Sequence, residues 1–308
     1  MSSFGDLNRV NTNIQSLDSQ LSLNRINRGL AQNQMRMSTG LRINRAEDDA
    51  AGYSIATKLN ARVAGLEQAL SNVGDAKSVL DITESSFDTI MDNLIEMKAL
   101  STQAANDTLG ENERGFIGEQ IAALAADINE IANQTVFQDI QLLNGESGGF
   151  SGALSLTFQV GERSSDTLTA DLSAVNVNEL FDTSGIGSGN ISVESTGAGG
   201  QGALQFADGA TAATAADYRE FMSIIDGAID TMAGRVNDVG IAQSSLSVRE
   251  ITLSQSISAN SSAASRIMDA DFAKEQSESI RLQILQQTAT SALAQANMGP
   301  QSVLGFLG

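Results

Sequence analysis

The side chains that could do chemistry in this chain are carboxylates and guanidinium groups, because the sequence has no cysteine and no histidine. Thiolate nucleophiles, disulfides, histidine-ligated metals and histidine acid–base catalysis are therefore excluded. The most prominent charged group is Arg42, Arg45, Asp48 and Asp49, in the stretch TGLRINRAEDDAAG. Paired carboxylates can act as general acid and base, but they need an enclosing pocket or an aromatic platform for a substrate, and nothing in the sequence indicates either. We expect no catalytic residue, no cofactor and no metal.

The same four residues have two other interpretations. They lie at a non-helical break between two helices, which we call the spoke segment, and they are candidates for ion pairs between subunits there. Alternatively, the acids Glu47, Asp48 and Asp49 occupy the first turn of the next helix and complement its dipole, while the arginines are solvated. Both interpretations stay open. A second acidic group is interpreted as a solvated helix face: Glu111, Glu113 and Glu119.

The charge restricts the partners of the chain. With 37 acidic and 18 basic residues, a net charge of −19 argues against binding nucleic acid or an anionic membrane, where positive charge supplies the affinity. Residues 1–45 hold six Arg and two Asp, a net +4, residues 265–308 carry a net −1, and the middle holds −22. We therefore predict that the two ends come together inside an assembly and that the middle faces solvent.

Hydropathy gives no sign of a membrane segment or of a leader. No stretch approaches the roughly 20 apolar residues of a membrane span. The start, MSSFGDLNRVNTNIQSLDSQ, has neither the basic nor the apolar region of a Sec-type signal peptide. We predict no membrane insertion and, for a secreted protein, export by another route.

The middle of the chain is predicted to be a bundle of long helices. Large apolar residues recur mostly in steps of three or four, which is the spacing of a helix seam; they are Ile55, Leu59, Val63, Leu66, Leu70, Val73, Leu80, Phe87, Leu94 and Met97. A turn near 106–110 leads to a second, antiparallel helix with Ile117, Ile121, Leu124, Ile128 and Ile131. A capping box, Thr214 to Asp217, opens a third helix that continues to Ile267. The single proline, Pro300, interrupts none of these helices.

Strand periodicity appears only between the bundle helices. Leu154, Leu156, Phe158 and Val160 alternate with polar residues, and Leu168, Ala170 and Leu172 do so after a polar turn. Alternation of this kind predicts a β-hairpin, which should pack on the helices because a lone hairpin is barely stable. Residues 176–213 show only weak strand signals and are predicted to be a short exposed excursion.

The two ends are predicted to be weak helices that stay unstructured until a partner arrives. Each has a thin apolar seam, too small to offset the entropy of ordering. The seam residues are our candidate assembly interface: Leu7, Val10, Ile14, Leu17 and Leu21 near the start, and Ile280, Ile284, Leu285, Ala289 and Leu293 near the end. Pairing of the two helices within one molecule is the alternative role for these residues.

The sequence thus predicts a mainly α fold, a long antiparallel helical bundle or coiled coil with a small β-hairpin region, whose termini pair as an inner coiled coil. The predicted divisions are an assembly domain from 1–44 plus 265–308, a bundle with the hairpin from 45–175 plus 214–264, and a surface excursion at 176–213.

Four stretches of the chain resemble bacterial flagellins. They are SLNRINRGLAQNQMRMSTGLRINRAEDDAAGYSIA (22–56), QTVFQDIQLLNG (134–145), TFQVGERSSDTLTADL (157–172) and SRIMDADFAKEQSESIRLQILQQTATSALAQANMGPQSVL (265–304). Together with the seams between them they cover nearly all of the chain except 176–213. The resemblance implies a motility filament subunit, exported unfolded through the type III pathway of the flagellum and polymerised under a cap, with the terminal segments forming the inner tube.

The resemblance also implies partners and one altered binding patch. The partners are other copies of the chain, the filament cap and hook-junction proteins, and an export chaperone at the C-terminal segment, where Leu304 and Leu307 are candidates. Flagellins that activate the vertebrate Toll-like receptor carry Arg, Leu and Glu at the positions of Glu96, Leu100 and Gln120. Only Leu100 is kept, so we predict weak receptor activation.

Two other functions stay open from the sequence. A hook–filament junction protein would have similar termini, although the full C-terminal signature favours a flagellin. An acidic coiled-coil signalling module would also show long heptads, but it would need neither the hairpin nor the weak ends.

Overall fold

A computed structural model describes residues 13–144, 153–181, 191–195, 202–208 and 211–304. Its helices are α1 Ile14–Thr39, α2 Ala50–Ala104, α3 Glu111–Gln134, α4 Val177–Phe181, α5 Ala215–Met268 and α6 Phe272–Leu304. Its strands are β1 Val136–Phe137, β2 Ile140–Gln141, β3 Ala153–Gln159, β4 Thr167–Ser173, β5 Ser192–Ser195, β6 Gly202–Gln205, β7 Ala207–Asp208 and β8 Thr211–Ala212. The predicted mainly α fold is confirmed.

Contacts divide the chain into two units, which we describe separately. The first unit combines Met1–Ala64 with Ile257–Gly308, and the second is Gly65–Ser256. The sequence also predicts a functional division, with an assembly domain bounded near residues 44 and 265. That division concerns contacts between copies of the chain, not contacts within it, and it stays a prediction. No helix in the described ranges is long and apolar enough to cross a membrane.

The core of the second unit lies where α2, α3 and α5 meet. Lys98 of α2 pairs with Asp226 of α5 at 2.5 Å, and Lys77 pairs with Glu250 at 2.9 Å. Because numbering rises on one helix as it falls on the other, α2 and α5 are antiparallel. The buried side chains recur at the predicted three and four spacing, and the largest include Leu80, Phe87, Ile90, Leu94, Met97, Ile121, Ile128 and Phe221. Ile55, at the predicted start of the seam, is instead 52% exposed, and Ala56 takes the buried position.

The predicted hairpin is confirmed, and the structure adds its register. β3 and β4 are antiparallel, and Leu154 lies opposite Leu172 and Phe158 opposite Leu168. Both helices that flank the hairpin contact it: Asn72 Nδ2 of α2 donates to Gln159 O at 3.1 Å, and Arg235 of α5 donates to Ala174 O at 2.5 Å. The helices therefore supply the support that a lone hairpin lacks. Burial lowers the pKa of Arg235.

The excursion at 176–213 differs from the exposed segment that the sequence predicts. Six of its described apolar residues are buried: Val177, Leu180, Phe181, Ile191, Leu204 and Ala213. β5 pairs with β6. Asn129 of α3 contacts both β6 and the short helix α4, because it donates to Gly202 O at 2.9 Å and accepts from Val177 N at 3.0 Å. The sequence understated the burial because these residues are few and are brought together only by the tertiary fold.

Aromatic rings join the excursion to the start of α5. Phe206 stacks on Tyr218 with ring centroids 5.6 Å apart and meets Phe221 edge to face at 5.4 Å. The Tyr218 hydroxyl donates to Arg114 O at 3.0 Å. The predicted capping box at this helix start is confirmed, since Thr214 N donates to Asp217 Oδ2 at 2.7 Å and Asp217 N donates back to Thr214 Oγ1 at 3.4 Å.

Two glycines of α3 provide a matched test of this packing. A Cβ at Gly118 would lie 2.7 Å from Tyr218 Oη and 3.0 Å from Phe206 Cβ, whereas a Cβ at Gly115 would meet nothing within 4 Å. We expect Gly118→Ala to lower the free energy of unfolding of the second unit by about 1–3 kcal/mol, as overpacking does. Gly115→Ala should raise it by about 0.5–1 kcal/mol, because alanine favours the helix. Urea denaturation measures both, and equal effects would contradict the packing described.

The buried Tyr218 predicts a loss of stability at high pH. Burial, the largest cause, raises its pKa from 10.0 to about 12. The folded state thus holds the phenol proton more tightly than the unfolded state, so this stabilisation is complete below pH 10 and is lost as the pH rises towards 12. We expect the parent to lose about 2–3 kcal/mol more than Tyr218→Phe over this interval. Denaturant titrations at a series of pH values measure the difference, and parallel pH profiles would contradict it.

Candidate assembly surface

In the first unit, α1 and α6 lie antiparallel along most of their described length. Asn13 Nδ2 donates to Ala296 O at 2.8 Å near the start of α1, and Gln286 Nε2 donates to Asn27 Oδ1 at 2.8 Å farther along. The terminal helices are thus folded and paired in this structure. Whether they are unstructured in the dilute monomer stays a prediction.

The side of each helix that faces the other, which we call the inner face, is half-buried. It carries Leu23, Ile26 and Leu30 on α1 and Leu282, Ala289 and Leu293 on α6. A Cβ at Gly29 would lie 3.6 Å from Leu282 Cδ2, so the two helices approach closely there. The inner face also contains a buried polar pair: Asn33 Nδ2 donates to Glu275 Oε2 at 2.6 Å and to Glu275 O at 3.0 Å.

The opposite side of each helix, the outward face, also carries large apolar side chains. On α1, Leu17 is 53% and Leu21 51% exposed, and Met35 lies on the same side because 18 residues complete about five helical turns. On α6, Ile280 is 50% and Ile284 58% exposed, and Met298 shares their side. The outward faces therefore leave apolar area that nothing in the described part of the chain covers.

The ten predicted assembly residues fall into three groups. Leu7 and Val10 lie outside the described residues. Ile14, Ala289 and Leu293 are half-buried, while Leu17, Leu21, Ile280, Ile284 and Leu285 are exposed. The sequence predicts one seam on each helix, whereas the structure has two apolar sides on each. The prediction lacks Leu23, Ile26, Leu30 and Leu282, although the spacing of three and four residues between the first three is a signal that the sequence contains.

The spoke segment is tied to the end of α5. Gly40 ends α1 in the left-handed region, at φ 72°. Leu41 forms a bridge with Asp269, the backbone nitrogen of Arg42 donates to Met268 O at 2.6 Å, and its guanidinium donates to Ile267 O at 2.7 Å. Arg42 thus already has an acceptor within its own chain.

The acidic residues of the spoke segment precede α2 rather than occupy its first turn, which corrects their predicted position but leaves Asp49 at the positive end of the helix dipole. Asp49 Oδ1 accepts from Ala51 N at 3.1 Å and from Gly52 N at 3.0 Å, as a helix cap does. Asp48 accepts from the backbone of the preceding turn, and the bond from Asn44 N is the largest cause that lowers its pKa. Arg45 pairs at 3.5 Å with Glu47, and both are exposed. Ion pairs between subunits here stay a prediction.

The remaining predicted residues are at or near the surface of the second unit. Glu96 and Gln120 are exposed and Leu100 is half-buried, so weak receptor activation stays a prediction. Glu111, Glu113 and Glu119 are exposed on α3. Within the described ranges, no group of three or more Asp and Glu residues is arranged to hold a metal ion.

Comparison with known proteins finds relatives over nearly the whole chain. Residues 10–147 match the family model for the bacterial flagellin N-terminal helical region, and residues 222–307 match that for the bacterial flagellin C-terminal helical region. A flagellin of Listeria monocytogenes is 30% identical, covering 95% of this chain and 97% of the relative. The flagellin of Bacillus subtilis is 30% identical over 97% and 99% of the two chains. The same values hold for the flagellar filament 33 kDa core protein of Treponema phagedenis.

The fold is shared with a solved structure. It is that of a putative flagellar hook-associated protein from Vibrio parahaemolyticus, which matches with a TM-score of 0.55 and 14% identity, covering 72% of this chain and all of the other. At this identity the match shows the arrangement of helices and strands alone.

Limited proteolysis tests whether the terminal helices are the weak part of the isolated molecule. Arg25 and Arg28 on α1 and Arg281 on α6 are exposed, whereas Arg114 and Arg235 in the second unit are half-buried. We expect trypsin to cut dilute protein first at the three terminal sites, because local opening is cheapest where few apolar contacts hold a helix. Mass spectrometry of early products identifies the cuts. Early cleavage at Arg114 or Arg235, with both ends intact, would contradict this.

Proposed function

The chain belongs to the bacterial flagellin family and is a structural subunit of the flagellar filament, and from that premise we propose that it assembles through the outward faces of α1 and α6. In the proposed assembly, each pair of terminal helices buries its outward apolar side chains against other copies of the chain. The observation that carries this proposal is the exposure of Leu17, Leu21, Ile280 and Ile284, each 50% or more, on helices whose inner faces are already in contact.

Burial energetics support the proposal. Removing an isoleucine or leucine side chain from water contributes about 1.5–3 kcal/mol, so a few such residues on every copy add up to a strong association. Surface of this kind on a monomer usually marks an interaction site. The near-neutral charge of the ends also allows many copies to approach closely, whereas the middle of the chain, with a net −22, is suited to the solvent side.

The same premise suggests the remaining partners. We propose that the filament cap and hook-junction proteins contact the chain during assembly, and that an export chaperone holds the C-terminal segment around Leu304 and Leu307. The proposed route out of the cell is the type III export pathway of the flagellum, which needs no Sec-type signal. We also propose that residues 1–44 and 265–308 act as the assembly domain, 45–175 and 214–264 as the bundle, and 176–213 as the variable part of the surface.

The hook–filament junction alternative gains less support. The hook-associated protein shares the fold at 14% identity, whereas the flagellins reach 30% over almost the full length of both chains. The junction protein is therefore not better supported. A structural family is also consistent with the prediction that the chain is not an enzyme.

Seeded elongation of purified monomer tests the outward faces directly. We expect Leu21→Ser and Ile284→Ser each to raise the critical concentration for filament growth about tenfold or more, because each removes a side chain whose burial is worth more than 1.4 kcal/mol. Gln283→Ser, beside Ile284 and also exposed, is the matched control and should elongate like the parent. Thermal unfolding of the second unit should be the same in all variants. Normal growth of both apolar-to-serine variants would overturn the proposal.

Truncation tests the wider assignment of the ends. Removing about 40 residues from either terminus should abolish growth from seeds while the second unit keeps its unfolding transition, because its core lies between residues 65 and 256. Electron microscopy detects the filaments. Native filaments from a trimmed chain would show that the terminal helices are dispensable.

A further inference from the structure

The two apolar sides of α1 and α6 raise the question of which sides meet. On α6 the outward face carries Ile280, Ile284 and Met298, while the inner face carries Leu282, Leu293 and the small Ala289. The two sides of α1 are similar in apolar content, with Leu23, Ile26 and Leu30 on the inner face and Leu17, Leu21 and Met35 on the outward face. Because hydrophobic burial follows apolar area, area alone would select neither the observed face of α1 nor that of α6, and another interaction must do so.

The polar contacts between the helices are candidates for this selection, and they differ in burial. Gln286 with Asn27 and Ser16 with Asn297 form hydrogen bonds of 2.8 Å at exposed positions. Water can replace such bonds at little cost, so they favour no particular face strongly. Asn33, by contrast, is 3% exposed, and its partner Glu275 has a side chain that is only 12% exposed.

We propose that Asn33 and Glu275, with Arg36, select the face of α1 that turns towards α6 and so leave the outward faces free for other copies. Asn33 donates to both the carboxylate and the backbone oxygen of Glu275, and Arg36 NH1 lies 3.6 Å from the same carboxylate. If α1 alone rotated to present Leu17 and Leu21, Glu275 would stay at the interface without the amide that binds it. An ionised carboxylate buried without its partner is penalised far more than an exposed hydrogen bond that is broken.

The cluster is not built for maximal stability. Within the described part of the chain, Asn33 Oδ1 and Arg36 Nε are buried and have no hydrogen-bond partner. An apolar pair of similar volume would leave neither atom unsatisfied, and replacing buried ionic groups in this way is often neutral or stabilising. A polar residue kept at such a position specifies one arrangement of paired helices at a cost in stability, as a buried asparagine does in coiled coils.

The absence of cysteine makes the orientation measurable by disulfide formation. Ser16→Cys with Asn297→Cys reports the observed face, because the two native side chains are hydrogen-bonded. Leu17→Cys with Asn297→Cys reports a rotated α1, because Leu17 points outward. In seeded filaments of the full-length parent, where the proposed assembly keeps the terminal helices paired, we expect the 16–297 disulfide to form faster than the 17–297 disulfide. The proposal predicts that Asn33→Leu lowers this ratio of rates about tenfold, the effect of one unsatisfied buried polar group.

Two further variants separate selection from general support of the helices. The exchange Asn33→Glu with Glu275→Asn restores the same two groups to the interface and should return the ratio to within a few-fold of the parent. The control Asn27→Leu removes an exposed hydrogen bond and should leave the ratio unchanged. If Asn33→Leu slows both disulfides equally, or if the exchange does not restore the ratio, the proposal is overturned.

This inference rests on the proposed assembly through the outward faces. Seeded elongation of the same Asn33 variants distinguishes a failure of the face selection from a failure of the assembly proposal. An altered ratio with impaired elongation supports both. An unchanged ratio with impaired elongation overturns the face selection and leaves the assembly proposal standing. An altered ratio with normal elongation supports the selection but contradicts assembly through the outward faces.

Discussion

Two helices can bury only one side of each in the other, and this constraint governs the first unit of the molecule. α1 and α6 carry apolar residues on two sides, so their pairing leaves Leu21 and Ile284 in contact with solvent. In the second unit α2 packs with both α3 and α5, and side chains such as Leu80 and Leu94 are completely enclosed. The second unit therefore has an enclosed core within a single chain, although Phe116, Ile241 and Val248 are exposed on its surface, whereas the terminal helices have only their half-buried inner faces and leave apolar surface that further copies can cover.

The polar residues of the first unit act mainly on geometry. Asp49 caps α2, Gly40 ends α1 in a conformation that other residues adopt at a cost, and Asn33 binds Glu275 between the terminal helices. Asp49 and Gly40 mark where a helix begins and where one ends, and Asn33 is the residue that we propose selects which way α1 faces. Apolar contacts are tolerant of small shifts and rotations, so the directional interactions are the ones that define a repeating subunit.

The sequence predicted those features in which local period and burial agree. The spacing of three and four residues located α2, α3 and α5, and strict alternation located β3 and β4 with the correct partners. It did not divide the terminal apolar residues into two faces, because the sequence pattern alone does not show which apolar positions a neighbouring helix covers. It also missed the burial of Phe181, since that depends on stacking with Phe221, whose ring lies 5.9 Å away and 40 residues on.

The tie between the spoke segment and the end of α5 has a consequence for how unfolding spreads. The chain interrupts its helices twice at the same level, at residues 40–49 between α1 and α2 and at residues 269–271 between α5 and α6, and backbone bonds such as Ala270 N to Gly40 O, at 2.9 Å, join the two breaks. Helical cooperativity passes from each turn to the next only along an unbroken ladder of hydrogen bonds. Unfolding that starts in α1 or α6 therefore stops at this joint. A subunit in which α1 and α6 have unfolded still keeps α2 and α5, and these helices provide a template on which α1 and α6 can re-form.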